Sequence, residues 1–256
     1  MSKKFTDKTG EENYNKFGSK MIITRGNKST DIDIYFPEYN WTFYHNRYRN
    51  FKNGNVKCPY EPRFFSKGYL GEGKYKIKEN GKFTKCYLKW SSMLKRCYDK
   101  KYHIRRPTYK DCTVCDEWLC FQNFAEWFYD NYYECDNEIM CLDKDILVKG
   151  NKIYSPNTCI FVPQRINILF VKSDKVRGDY PIGVYYYKPT NKFKSQCNNG
   201  YKNRINLGYY DTPEEAFQIY KVYKENLIKQ IADEYKNLIP QKLYQTMINY
   251  KVEIND

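Results

Sequence analysis

The chain has 256 residues, and 44 lysines and arginines against 30 aspartates and glutamates give it a net charge of +14. This charge excludes an acidic mimic of nucleic acid and makes a polyanion the first partner to consider. Aromatic residues make up 18% of the chain. Disordered chains lack such a content, so we expect most of this chain to fold around cores.

No apolar run approaches the roughly 20 residues that a membrane-spanning helix needs. The first residues, Met-Ser-Lys-Lys-Phe-Thr-Asp-Lys, contain no apolar stretch that would serve as a signal peptide. We therefore expect a cytoplasmic protein without a membrane partner. The oligomeric state is not indicated by the sequence.

The N-terminal part reads as a flexible arm over residues 1–20 followed by a β-rich module over 21–67. Residues 31–36 alternate strictly between polar and apolar side chains, which is typical of a half-buried strand. We expect further short strands around Trp41–Tyr44 and Val56.

A helical segment is predicted over 84–170. Apolar residues recur at helical spacing from Lys85 to about Lys100 and again over Asp116–Tyr132. Two short strands joined at Lys149-Gly150-Asn151 and then a helix are predicted over 138–170. Ser155-Pro156 is the expected start of that helix, because serine caps free amides and proline tolerates the first turn.

A polar linker over 171–179 separates this segment from the C-terminal module, 180–238. Residues 180–208 resemble a three-stranded meander, and a helix capped by Thr212, with Pro213 first and Glu215 as the reciprocal partner, continues to about Leu238. A tail over 239–256 follows, with a short helix. The predicted buried face of the long helix consists of Ala216, Ile219, Tyr220, Tyr223, Leu227, Ile231 and Tyr235.

Ten cysteines and two histidines bear on metal binding. Without a secretory signal we expect reduced thiols. Cys112 and Cys115 form one CxxC pair, and with two of the later cysteines they would make a zinc (Zn²⁺) site. The alternative is that the cysteines are small apolar side chains in cores.

Four pieces in order, Gly-Val-Tyr-Tyr-Tyr (183–187), Lys-Phe-Lys-Ser-Gln (192–196), Asn-Leu-Gly-Tyr-Tyr (206–210) and Asp-Thr-Pro-Glu-Glu-Ala (211–216), resemble the AP2 DNA-binding domain. The resemblance covers 180–235. It implies three antiparallel strands packed on one helix, with the sheet face laid into the major groove of DNA, and a ribbon of strands fits that groove.

The resemblance implies a set of residues that face DNA. They are Gly183, Tyr185, Tyr187, Lys192, Lys194, Gln196, Asn198, Arg204 and Asn206. Lysine and arginine would meet phosphates, while the amide side chains would read base edges. Tyr185 and Tyr187 stand where the family usually has arginines, and Asn206 replaces a tryptophan, so the usual GC-rich specificity is not expected. A small α+β module that binds protein is the alternative.

The stretch Leu-Asp-Lys-Asp-Ile (142–146), Asn151-Lys152, Tyr-Ser-Pro-Asn-Thr-Cys (154–159) and Asn167 resembles the ββα-metal core of HNH homing endonucleases found in phages and mobile elements. AP2 modules are often attached to such nucleases. In that family an Asp-His pair ends the first strand, an asparagine lies near the helix start, and a histidine or asparagine lies inside the helix.

By this resemblance Asp143 and Asn167 would hold a divalent metal, Mg²⁺ or Mn²⁺, and Asn157 or Asn151 would fill the middle position. Lys144 stands where the histidine base belongs. A lysine with an ordinary pKa near 10.4 is protonated at neutral pH and is a poor base. Asp145 is expected to join the metal or the structure, and nothing in the sequence brings His103 to the site.

The sequence thus predicts an α+β chain of several modules: a small β-rich N-terminal module, a central helical segment with an HNH-like ββα core, and an AP2-like sheet with one helix. The expected function is binding of double-stranded DNA by a phage-type relative of HNH homing endonucleases with a degenerate motif. Two alternatives stay open: an active metal-dependent endonuclease or nickase, and a phage protein that binds a host protein such as a defence factor.

Overall fold

The computed structural model describes residues 5–135, 137–171, 179–201 and 203–254. Helices and several small sheets alternate along the chain, which confirms the α+β class. The chain divides into two compact units, Met1–Asp130 with Ile153–Ser155, and Asn131–Lys152 with Pro156–Asp256. The predicted segment 84–170 is therefore not one domain, because its helices belong to the first unit and its ββα part to the second.

The N-terminal unit begins with an antiparallel sheet in sequence order. Its strands are β1 (Glu12–Tyr14), β2 (Lys20–Lys28), β3 (Asp31–Phe36) and β4 (Trp41–Asn46), followed by helix α1 (Tyr48–Lys52). The alternation in β3 buries Ile32, Ile34 and Phe36 in a shared core. The prediction of a flexible arm over 1–20 is wrong for its second half, because β1 pairs with β2. Val56 is buried beyond α1 and lies in no strand.

The rest of this unit is mainly helical. Its elements are the short hairpin β5 (Lys78–Glu79) and β6 (Lys82–Phe83), α2 (Lys85–Tyr98), α3 (Lys100–Arg105), β7 (Thr113–Val114), α4 (Asp116–Leu119) and α5 (Phe121–Asn131). Helix α2 matches the predicted segment. The second predicted helix is divided at Cys120, whose backbone is extended.

The C-terminal unit begins with a ββα arrangement. Strands β8 (Met140–Asp143) and β10 (Ile160–Pro163) are antiparallel, and helix α6 (Gln164–Leu169) follows β10 directly, whereas β9 (Ile153–Tyr154) pairs with β7 in the N-terminal unit. The prediction that a helix starts at Ser155-Pro156 is wrong. The β-branched residues that follow pair as strand β10, and this pairing overrides the local capping signal.

Three antiparallel strands and a long helix complete this unit. They are β11 (Val184–Tyr187), β12 (Lys192–Asn198), β13 (Arg204–Tyr210) and α7 (Pro213–Tyr235), followed by α8 (Gln241–Ile248). The Oγ1 atom of Thr212 accepts a hydrogen bond from the backbone N–H of Glu215, so the predicted helix start is confirmed. Most of the predicted linker, 172–178, lies outside the described residues.

One core joins the ββα arrangement to the long helix. It contains Ile146, Ile160 and Val162 together with Ile228 and Ile231. A second core lies between the sheet and the first turns of α7. In the described part of the chain, no helix is long and apolar enough to cross a membrane.

Candidate nucleic-acid interface

Strand register in the C-terminal sheet decides which side chains share a face. Lys194 of β12 lies opposite Tyr185 of β11 and Tyr209 of β13. Successive side chains of a strand point to opposite faces, so this face can be followed along all three strands. It carries Tyr185, Tyr187, Lys192, Lys194, Gln196, Asn198, Arg204, Asn206 and Tyr209.

The other face of the sheet packs on helix α7. Val184 and Cys197 are buried against Ala216, Phe217 and Tyr220 of the helix. A sheet that is covered by a helix on one side presents its second face to solvent. Within the C-terminal unit the face around Lys194 is therefore the open one, and Arg204 and Asn206 are exposed on it.

Gly183 does not belong to this open face, and its predicted place there is wrong. Its φ angle is +80°, and a Cβ atom built on it would lie 2.1 Å from the ring of Tyr220 on α7. The left-handed backbone at Gly183 breaks the alternation just before β11 begins. The residue therefore allows close approach of the strand to the helix.

Tyr209 is on the open face although the sequence analysis did not select it. The register between β12 and β13 shifts between Ser195 and Gln196, which changes the phase of β13. Simple alternation from Asn206 would have placed Tyr210 on the face instead. The bulge accounts for this difference. Gly208 is the sequence signal for it, because a glycine inside a strand often marks a bulge.

The centre of the open face is a lysine between two aromatic rings. The Nζ atom of Lys194 lies 5.7 Å from the ring centroids of both Tyr185 and Tyr209. A hydrogen bond with Tyr185 raises the pKa of Lys194, which favours the ammonium form. The rings hold the cation at a fixed place on the sheet.

Two further cations lie on the same face. Lys192 is half exposed and makes a 3.1 Å ion pair with Asp211, and exposed pairs of this kind contribute little. The side chain of Arg204 has no hydrogen-bond or ion-pair partner among the residues that the structure describes. Both cations are therefore available to a polyanion.

In the ββα arrangement, Asp143 at the end of β8 forms a tight turn. Its Oδ1 atom accepts hydrogen bonds from the backbone N–H groups of Asp145 (2.9 Å) and Ile146 (2.8 Å). Burial, and then the nearby charge of Asp145, raise the pKa of Asp143 to about 6. Because of the two hydrogen bonds, one of the two carboxylate oxygens of Asp143 is already occupied by backbone N–H groups.

Lys144 is buried and engaged on both sides. Its Nζ atom donates to the carbonyl oxygen of Asn151 at 3.0 Å and lies 3.2 Å from a carboxylate oxygen of Asp145. The Nδ2 atom of Asn151 donates in return to the carbonyl oxygen of Lys144. Lys144 and Asn151 thus close the loop after β8, and neither points to an open reaction centre.

The remaining nuclease candidates belong to other segments of the chain. Asn157 is exposed in the turn before β10, and Asn167 is half buried on α6. Among the described residues, no hydrogen bond joins either of them to Asp143. His103 belongs to α3 of the N-terminal unit, where its Nε2 atom contacts the carbonyl oxygen of Arg96.

The donor set fits a divalent cation poorly. Mg²⁺ prefers carboxylate oxygens and water in octahedral geometry. Asp143 already accepts two N–H groups, and the carboxylate of Asp145 is paired with the ammonium of Lys144. No step of a reaction can be derived through a metal at this place.

Among the residues that the structure describes, Cys112 and Cys115 belong to no group of three potential metal ligands. The Sγ atom of Cys112 contacts the carbonyl oxygen of Thr108, and Cys115 is half buried. Of the residues that the structure describes, only Asp31, Asp33 and His45 form a group of three potential metal ligands. The zinc site therefore stays a prediction without a third ligand.

The group of Asp31, Asp33 and His45 already contains a cation. The guanidinium of Arg25 contacts Asp31 at 2.8 Å and Asp33 at 2.6 Å, while His45 Nδ1 lies 3.0 Å from Asp31. Hydrogen bonds from Arg25 and then from His45 lower the pKa of Asp31 to about 2. The arginine takes the position that a metal ion would need.

Comparison with known proteins gave no assignment. The chain matches no protein-family model, no curated protein and no solved structure.

Proposed function

We propose that the protein binds double-stranded DNA through the open face of its C-terminal sheet. The observation that supports this most is that Lys192, Lys194 and Arg204 share one solvent-facing side of a twisted three-stranded sheet. The overall charge of +14 favours the same class of partner. The setting we propose is that of a phage- or mobile-element-type protein acting in the host cytoplasm.

The side chains of the open face fall into two groups, which we expect to contact different parts of the DNA. Lysine and arginine neutralise phosphates, while Gln196, Asn198 and Asn206 offer amide donors and acceptors for base edges. Three phosphate contacts predict a slope of about −2.7 in a plot of log affinity against log salt. The affinity should then fall roughly 40-fold between 50 and 200 mM salt.

Fluorescence anisotropy with a mixed-sequence duplex tests the proposal. The double variant Lys194→Ala/Arg204→Ala removes two cations from the face and should reduce the salt slope by about 2. Lys229→Ala/Lys236→Ala removes the same charge from the α7 region and is the matched control. Absence of binding at 50 mM salt, or equal loss in both variants, would reject the sheet as the interface.

Binding without cleavage is the second part of the proposal. Lys144 and Asn151 are engaged with each other, and Asp143 is held by its own turn. We expect supercoiled plasmid to stay intact with magnesium or manganese. Nicking that is lost in Asp143→Ala would establish the alternative, a metal-dependent endonuclease or nickase.

A protein-binding role is the second candidate function. Three tyrosines, Tyr185, Tyr187 and Tyr209, lie on the open face. The ring centroids of Tyr187 and Tyr209 are 5.1 Å apart. Tyrosine is enriched at protein interfaces. Absent DNA binding combined with capture of a host protein that is lost in Tyr187→Ala would favour this role.

A further inference from the structure

A cleft of about 580 Å³ opens within the C-terminal unit. It lies at the end of the sheet where β11 begins, because β12 continues for three residues beyond its last pair with β11. The walls come from the end of α6, the start of β11, the end of β12, helix α7 and the C-terminal residues Tyr250 and Val252. Its size is in the range of small-molecule sites.

A buried lysine lines this cleft. Lys224 is 7% exposed and occupies the core-facing stripe of α7, between Tyr220 and Ile228. Among the residues that the structure describes, its side chain has no hydrogen-bond or ion-pair partner, and the thiol of Cys197 is its one electrostatic neighbour.

An isolated ammonium at such a depth is costly. Burial lowers the pKa of Lys224, since charged groups lose hydration in a low-dielectric interior. Natural proteins pair buried charges or use them. An anion in the cleft would supply the missing counter-charge.

Other polar groups lie on the same walls. Arg204, Gln196 and Asn198, which belong to the open face of the sheet, also line the cleft. Among the described residues, the side chain of Arg204 has no hydrogen-bond or ion-pair partner. Phe170 and Ile182 contribute apolar surface. The cleft therefore offers two cations and two amides beside an apolar wall.

We propose that this cleft binds a phosphate ester, with the phosphate group between Lys224 and Arg204. A phosphate carries the charge and the acceptor oxygens that two cations and neighbouring amides recognise. The phosphate belongs to a free small organic phosphate or to a nucleotide of a bound DNA strand. The cleft shares Arg204, Gln196 and Asn198 with the open sheet face, and Lys224 is the cation that belongs to the cleft alone.

The test uses the full chain and phenyl phosphate as the probe, with phenol as the control for the ring alone. Phenyl phosphate should raise the melting temperature of the wild type in a saturable manner, and phenol should not. Lys224→Met keeps an unbranched side chain of similar shape and removes the charge, so it should weaken this binding at least tenfold. Lys229→Met, on the same helix outside the cleft, should bind as the wild type does.

A second arm identifies the source of the phosphate. A duplex titration of Lys224→Met in increasing salt should give the wild-type slope if the ligand is a free organic phosphate. If the ligand is a DNA phosphate, the slope should fall by about 1 while phenyl phosphate has no effect. The Lys194→Ala variant should keep phenyl phosphate binding even if it loses the duplex, which separates this site from the sheet face.

Two results would overturn the proposal. One is that neither phenyl phosphate nor the duplex distinguishes Lys224→Met from Lys229→Met. The other is that phenol stabilises the protein as much as phenyl phosphate does. Circular dichroism of Lys224→Met establishes that the variant is folded before either arm is interpreted.

Discussion

Replacement of Gly183 by alanine tests the packing on which the choice of the open face depends. The φ angle of +80° costs a residue with a side chain about 1–2 kcal/mol. The added methyl group would also lie 2.1 Å from the ring of Tyr220, and overpacking of this kind costs about 1–3 kcal/mol. We expect Gly183→Ala to destabilise the C-terminal unit by about 2–5 kcal/mol.

Gly150 provides the matched control in the same unit. Its φ angle is +79°, and nothing lies within 4 Å of a Cβ atom built on it. Gly150→Ala should therefore lose only the backbone contribution of about 1–2 kcal/mol. Hydrogen exchange of the β12 amides measures the opening free energy locally, which is needed because two units need not unfold together.

The comparison of the two glycine variants can refute the reasoning. If Gly183→Ala loses no more stability than Gly150→Ala, the ring of Tyr220 does not lie against Gly183. The packing of α7 on the sheet would then be different, and the argument that the face around Lys194 is open would fail with it.

Two further substitutions have pH-dependent outcomes. Lys224→Met should stabilise the protein by about 1–3 kcal/mol at pH 7. In the wild type the pKa of Lys224 is lowered from 10.5, so the unfolded chain holds the proton at pH values where the folded chain has released it. The stability deficit of the wild type relative to Lys224→Met should therefore shrink as the pH rises toward 10.5. Urea unfolding of both proteins from pH 7 to 10 measures this difference, and a constant difference would contradict the burial of Lys224. Asp143→Asn keeps an oxygen for the two backbone N–H groups and removes the charge. The pKa of Asp143 is about 6 in the folded chain against an ordinary 3.8, so the stability of the wild type relative to Asp143→Asn should be highest below pH 3.8. This difference should fall by at most about 3 kcal/mol as the pH rises through 6, and parallel stability curves would show that the pKa of Asp143 is not raised by folding.

Capping and alternation patterns predicted an element correctly where tertiary packing favours the same secondary structure as the local sequence. Thr212, Pro213 and Glu215 define the start of α7, and the alternation in β3 defines a half-buried strand, since each pattern is satisfied by one face of one element. Ser155-Pro156 carries an equally good helix signal. It fails because Ile160–Pro163 pairs with Met140–Asp143, a contact that no local pattern reports.

The open face followed from alternation, and its errors occur where alternation is interrupted. Gly183 precedes β11 with a left-handed backbone, and the bulge in the register of β12 and β13 brings Tyr209 to the face. The predicted buried face of α7 was also incomplete. Ile219 is 41% exposed, whereas Phe217 and Lys224 are buried, so the helix is rotated from the expected phase.

Lys224 shows why the phosphate cleft could not be predicted from the sequence. A lysine four residues from Tyr220 and from Ile228 lies on an apolar stripe, but long lysine side chains commonly reach solvent from such positions. Only the late start of β11, at Val184, shows that the space beside the lysine is a cleft.

The ββα arrangement has a structural role that does not depend on catalysis. Ile160, Val162 and Ile166 are buried against Ile228 and Ile231 of α7, so the arrangement completes the core beneath the helix. The same helix carries Lys224 and, on its first turns, supports the sheet. The loop closed by Lys144 and Asn151 fixes the end of β8 in that core by hydrogen bonds rather than presenting groups to a substrate. The ββα arrangement therefore serves, in this chain, as the base on which the three-stranded sheet and the cleft are built.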